Sequence, residues 1–81
     1  MNWSEKTQQK LMITIRTYLV IQDRPVPARE LYQFISFNKK LSLPSFPNQK
    51  SFTSYLNGKL GSNNSKDIKK RRKGRTWYYE L

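Results

Sequence analysis

"IKKRRKGRTWYYEL", residues 68–81, closes the chain. Five consecutive basic residues, Lys69 to Lys73, run into Gly74, and a cluster of aromatics follows. Three readings compete for this stretch: a solvated charged tail, a nuclear address, or a folded element that grips an anion. A solvated tail gains nothing by exposing rings, yet Trp77, Tyr78 and Tyr79 stand side by side. After Gly74, Trp77, Tyr79 and Leu81 alternate with Thr76, Tyr78 and Glu80. That is the period of two of a half-buried strand, in residue types that favour strands. Lys73-Gly74 suits a tight turn, because glycine takes positive φ without steric cost. The stretch therefore predicts a β-hairpin over about 67–81, with strands near Asp67 to Arg72 and Arg75 to Leu81. "KKRRK" also fits a nuclear localisation signal, a pattern with many false matches. The two readings are compatible in a eukaryotic host.

Upstream of the hairpin the spacing predicts three helices, over about 4–22, 27–36 and 47–59. In the third, Phe52, Tyr55, Leu56 and Leu60 make an apolar stripe, and Gly58 and Gly61 are candidate stops. In the second, Pro27 suits the first turn, and Leu31, Phe34 and Ile35 share a face. In the first, Ser4 is a plausible N-cap, and Leu11, Ile15, Tyr18 and Leu19 recur at helical spacing. "QDRPVP" ends that helix, and Pro25 and Val26 can form a short edge strand. "NKKLSLPSFP" reads as a loop whose Leu41, Leu43 and Phe46 tuck toward the core. The expected fold is α+β: one domain over 1–81, a three-helix bundle with a C-terminal two-stranded β-hairpin.

The charge balance points to a polyanion. Sixteen Lys and Arg against five Asp and Glu give a formal charge of +11 over 81 residues. That much like charge repels itself in the free protein. No Cys and no His are present, which excludes disulfides, the usual zinc sites and Cys or His nucleophiles. The acids Glu5, Asp23, Glu30, Asp67 and Glu80 are scattered, with no spacing suited to a metal clamp or an acid–base couple. Neither enzymatic activity nor a cofactor is expected. "LMITIRTYLVI" is too short and too interrupted to span a bilayer, so no membrane partner is expected. A secreted domain this small often needs disulfides, so an intracellular location is expected: the cytoplasm of a prokaryote, or the nucleus of a eukaryote.

Three helices followed by a basic-tipped hairpin resemble the winged helix-turn-helix family. The resemblance rests on "PVPARELYQFI", "NQKSFTSYLNGKL" and "IKKRRKGRTWYYEL", and it spans nearly the whole chain. It implies a third helix in the DNA major groove and a wing, here Lys69 to Arg75, on backbone or minor groove. The loop "SFNKKLSLPSFPNQ" is longer than the tight turn of simple members.

Candidate nucleic-acid-binding residues fall in two groups. Gln49, Lys50, Ser51, Thr53, Ser54 and Asn57 make the polar face of the third helix. Asn and Gln pair with adenine, Lys with guanine, and Ser or Thr with base or backbone. Every surface helix has a polar face, but no Asp or Glu occurs between Lys39 and Lys66, where an ordinary face mixes signs. Lys69, Lys70, Arg71, Arg72, Lys73 and Arg75 make the second group. Edge protection of a strand needs far fewer charges, whereas phosphates reverse the repulsion by releasing counterions. Lys39 and Lys40 are weaker candidates for backbone contact. Trp77 and Tyr79 read as core, and Tyr78, on the opposite strand face, as the better ring for contact.

The expected function is binding of double-stranded DNA, in transcription regulation or replication. The small chain also suits a protein of a virus or mobile element, or a fragment of a longer one. One alternative is a protein-interaction module for an acidic partner. Another is a binder of RNA or single strands through Tyr78 and the arginines. Met12 and Ile13 are spare apolar residues for a dimer interface, and the oligomeric state is left open.

Overall fold

In the computed structural model, which describes residues 4–38, 43–60 and 67–81, Ser4 opens the first helix. Its Oγ accepts the Thr7 N–H at 3.2 Å, and Glu5 lies in the first turn, where a negative charge is favourable. Helix α1 runs Glu5–Gln22 and buries Leu11, Ile15 and Leu19. It ends because Asp23 turns into the left-handed region, φ 49°, and its N–H closes on the Leu19 carbonyl at 3.0 Å. A short polar side chain tolerates that conformation, and Pro25 then prevents a return to helix.

The next two residues correct the two-stranded expectation. Val26–Pro27 form a strand, β1, one residue beyond the predicted edge strand. The remaining elements are α2 (Ala28–Phe37), α3 (Gln49–Leu60), β2 (Lys69–Lys73) and β3 (Thr76–Glu80). The sheet is three-stranded and antiparallel, in the order β1-β3-β2. The last strand of the chain is thus the central one. Val26 faces Tyr79 and Pro27 faces Tyr78. Proline has no N–H to give to a ladder, so it is tolerated in an edge strand.

Helix limits move slightly. Pro27 is the N-cap of α2 rather than part of its first turn. Helix α3 starts two residues later than expected because Asn48 Oδ1 accepts the Ser51 N–H at 2.9 Å. Gly58 lies inside α3 and does not stop it. Gly61, Leu41, Lys39 and Lys40 lie outside the described residues.

The core joins one face of every helix to the sheet. Leu11, Ile15, Leu31, Leu56, Val26 and Tyr79 are fully buried. Rings supply much of the rest, which suits a chain with only 36% apolar residues. Phe52 meets Phe46 edge-on at 5.2 Å and Tyr32 at 6.0 Å. Phe46 is buried, as the loop reading expected, and Leu43 packs against the core beside it. Met12 also packs against the core, whereas Ile13 is exposed. Among the described residues, no helix is long and apolar enough to cross a membrane.

Two acids tie these elements together. Glu30 Oε2 accepts from the Tyr18 hydroxyl at 2.5 Å and from Arg24 at 2.7 Å, which fixes α1, the β1 approach and α2. Asp67 accepts a forked pair from Arg16, at 2.5 and 3.1 Å, which anchors the start of the hairpin to α1. Arg24, then Tyr18, hold the Glu30 carboxyl below the usual carboxylate range. Arg16 does the same for Asp67. Both carboxylates are therefore more acidic folded than unfolded. Their stabilisation is complete above the ordinary carboxylate pKa and is lost as pH falls through the lowered one. Both sites are partly exposed, so each contributes no more than about 1 kcal/mol.

Thermal unfolding followed by circular dichroism should give a Tm that falls as the pH drops below the carboxylate range. Glu30→Gln with Asp67→Asn should lower Tm at neutral pH and flatten the acid limb. An acid limb unchanged in that double variant would show that other groups set it.

Candidate nucleic-acid interface

Strand alternation sorts the basic run. The register sets Lys70 opposite Tyr79 and Arg72 opposite Trp77, and it sets Lys69 opposite Glu80, Arg71 opposite Tyr78 and Lys73 opposite Thr76. Side chains of one strand alternate between faces. Ile68, Lys70, Arg72, Trp77 and Tyr79 thus share one face. Lys69, Arg71, Lys73, Thr76, Tyr78 and Glu80 share the other. The turn between the strands is Gly74-Arg75, with positive φ, 65°, at Gly74 alone. This suits a two-residue hairpin with glycine at its first central position. Arg72 Nε donates to the Gly74 carbonyl at 3.2 Å and braces that turn.

The first face packs on α3. Ile68 and Tyr79 are buried in the core. The Tyr79 hydroxyl donates to Asn57 Oδ1 at 2.8 Å, and burial pushes its pKa up. Lys70 Nζ donates to the Asn57 carbonyl at 3.3 Å. Trp77 is half-buried and carries two cations over its ring, Lys70 at 5.7 Å and Arg72 at 6.0 Å from the centroid. These contacts fix the basic face of the hairpin beside the second half of α3.

Helix α3 shows Lys50, Ser54 and Gly58 outward, one turn apart, with Gln49 exposed at its start. Ser51 and Thr53 are half-buried, and Thr53 Oγ1 donates back to the Gln49 carbonyl at 2.9 Å. Helices α1 and α2 each have a glutamate in the first turn, whereas α3 has no acid there and has Lys50 instead. A cation at the positive end of a helix is locally unfavourable, and an anion would relieve it. Among the described residues, no carboxylate pairs with Lys69, Lys70, Arg71, Arg72, Lys73 or Arg75.

Not all sequence candidates therefore stand alike. Lys50, Ser54 and Gln49 face solvent on α3. Asn57 is half-buried, and its side-chain oxygen is engaged by Tyr79. Lys70 and Arg72 lie on the α3 side of the hairpin, Lys69, Arg71 and Lys73 on the far side, and Arg75 at the turn. Trp77, read from sequence as core, also positions two cations. Its place opposite Arg72 across a two-residue turn is the sequence signal that carries this. Among the described residues, no cluster of acids is able to hold a metal ion. No protein-family model, curated protein or solved structure matches the chain.

Asn57→Ala should leave the buried Tyr79 hydroxyl without its acceptor, at a cost of about 1–3 kcal/mol in urea unfolding. Combined with Tyr79→Phe, the two losses should be less than additive by about 1 kcal/mol. Simple additivity would mean the bond contributes nothing.

Proposed function

We propose that the chain is a winged helix domain that binds double-stranded DNA. In this reading α3 enters the major groove and the hairpin is the wing, set on the adjacent backbone or minor groove. The observation that carries it is a cluster of unpaired charge. Among the described residues, no carboxylate pairs with the six basic residues of the hairpin, and they stand beside a helix whose first turn is free of acid. In the free protein these charges repel one another. A row of phosphates reverses the sign of that energy and releases its own counterions.

The division of labour follows from exposure. Gln49, Lys50 and Ser54 are presented to base edges, and Ser51 and Thr53 flank them. Asn57 supports the surface from behind through Tyr79. Lys70 and Arg72 continue the α3 surface onto the wing, and Arg75 leads its tip. Lys69, Arg71 and Lys73 add to the field that draws the duplex in. No part of this mechanism is catalytic. A role in transcription regulation or replication fits such a module, inside a prokaryotic cell or a eukaryotic nucleus.

Fluorescence anisotropy with a labelled duplex at several salt concentrations tests the reading. The logarithm of affinity should fall linearly with the logarithm of salt. Lys70→Ala and Arg72→Ala should each reduce that slope by about 1 and weaken all sequences alike. Lys50→Ala should instead change the preference between sequences. No duplex binding at low salt, with retention of an acidic polypeptide, would replace DNA by an acidic protein partner.

A further inference from the structure

The far face of the hairpin takes no part in the packing on α3. There Pro25, Arg71, Lys73, Tyr78 and Glu80 line a shallow cavity of about 270 Å³. Tyr78 is half-buried, so its neighbours hold the ring while part of it stays open. It stands between Pro27 on one side and Arg71 on the other in the sheet register. Pro25 adds a rigid apolar wall. Two cations and one carboxylate complete the lining.

We propose that this groove binds one unpaired nucleotide of a single-stranded nucleic acid. Its base stacks on Tyr78 against Pro25, its phosphate lies between Arg71 and Lys73, and Glu80 accepts a hydrogen bond from an exocyclic amine of the base. Each part of the lining has a use in this arrangement. An open aromatic face takes a base of any kind by stacking. The cations supply the anion grip. Glu80 decides against simpler occupants. A carboxylate weakens the hold of Arg71 and Lys73 on a bare phosphate row, which also offers it no hydrogen-bond donor, and it weakens their hold on an acidic peptide in the same way. It is matched by an amino-bearing base, because a carboxylate only accepts and cytosine N4 only donates.

The site is independent of the duplex reading. Bases in a duplex are stacked on each other and present no face to Tyr78. Helix α3 packs on the opposite side of the sheet, through Asn57 and Tyr79. A duplex held on α3 leaves this groove open, so the two faces together suit a junction between double and single strand.

Short labelled oligo-dC and oligo-dT, titrated against the whole chain by anisotropy, test the proposal. Titrations with and without an excess of unlabelled blunt duplex separate the two faces. Oligo-dC should bind more tightly than oligo-dT, and duplex should not displace it. Tyr78→Leu should weaken both roughly tenfold. Arg71→Ala should cost more than Lys70→Ala, although each removes one charge. Glu80→Gln, which keeps the shape of the side chain, should erase the difference between the two oligomers, and this holds as a test even if Tyr78→Leu fails to fold. Equal binding of the two oligomers by the native chain overturns the proposal. So does displacement by duplex, or an equal loss in the Arg71 and Lys70 variants. Loss of duplex binding with the single-strand pattern intact would overturn the DNA-duplex reading alone.

Discussion

The hydrogen bond from Tyr79 to Asn57 Oδ1 is the contact on which the arrangement depends. Tyr79 is fully buried in the central strand, with Val26 opposite on one side and Lys70 on the other. A phenol in that position has to spend its hydroxyl on a protein partner, because an unpaired polar group there is costly. Asn57 provides the partner and thereby sets α3 against the sheet. Once Tyr79 faces inward, the period of two leaves no freedom elsewhere in the hairpin. A slip of one residue would bury Tyr78 and expose Tyr79. The distribution of Lys69 to Lys73 between two faces is thus a consequence of core packing, not of charge.

The small core explains where the acids are. An 81-residue chain with 36% apolar residues has little burial to spare. Aromatic rings supply bulk, as in the Phe46–Phe52 and Tyr18–Phe34 contacts. Glu30 and Asp67 then act as ties between elements, each satisfied by an arginine of the α1 side, Arg24 or Arg16. Among the described residues, no carboxylate pairs with the cations of β2.

Much of this was legible in the residues. The alternation after Gly74 predicted β3, and the 3.6 spacing of Leu11, Ile15 and Leu19 predicted the buried face of α1. Two prolines around Val26 allowed an edge strand there. Its partner was not legible, because two residues carry no period and nothing local names Tyr79 and Tyr78 as their neighbours. Asn57 shows the same limit. By spacing it belongs to the polar face of α3, and only the arrival of a residue 22 positions later turns it inward. Helix starts moved for a local reason: Asn48 offered a side-chain acceptor, so the chain capped there and not at Pro47. Trp77 was read as core because its period matches Tyr79. The period is right: the ring packs against the edge of the core, and its open part lies under Lys70 and Arg72.

The division of the basic run over two faces has an energetic consequence. Lys70 and Arg72 are two residues apart on one strand, so their backbones stand about 7 Å apart on the same face. That lies within the Debye length of about 8 Å at physiological salt, so solvent ions do not remove their repulsion. The Trp77 ring offsets part of it, by about 0.5–1 kcal/mol for each cation at an exposed site. On the far face, Arg71 and Lys73 have the same spacing, and Tyr78 stands opposite Arg71. The run is therefore held extended by its ring-bearing partner strand, with its charges separated into two exposed rows, and among the described residues no carboxylate forms an ion pair with them. An anion brought to either row meets a backbone that is already extended, so binding there has exposed side chains to order but not the strand that carries them.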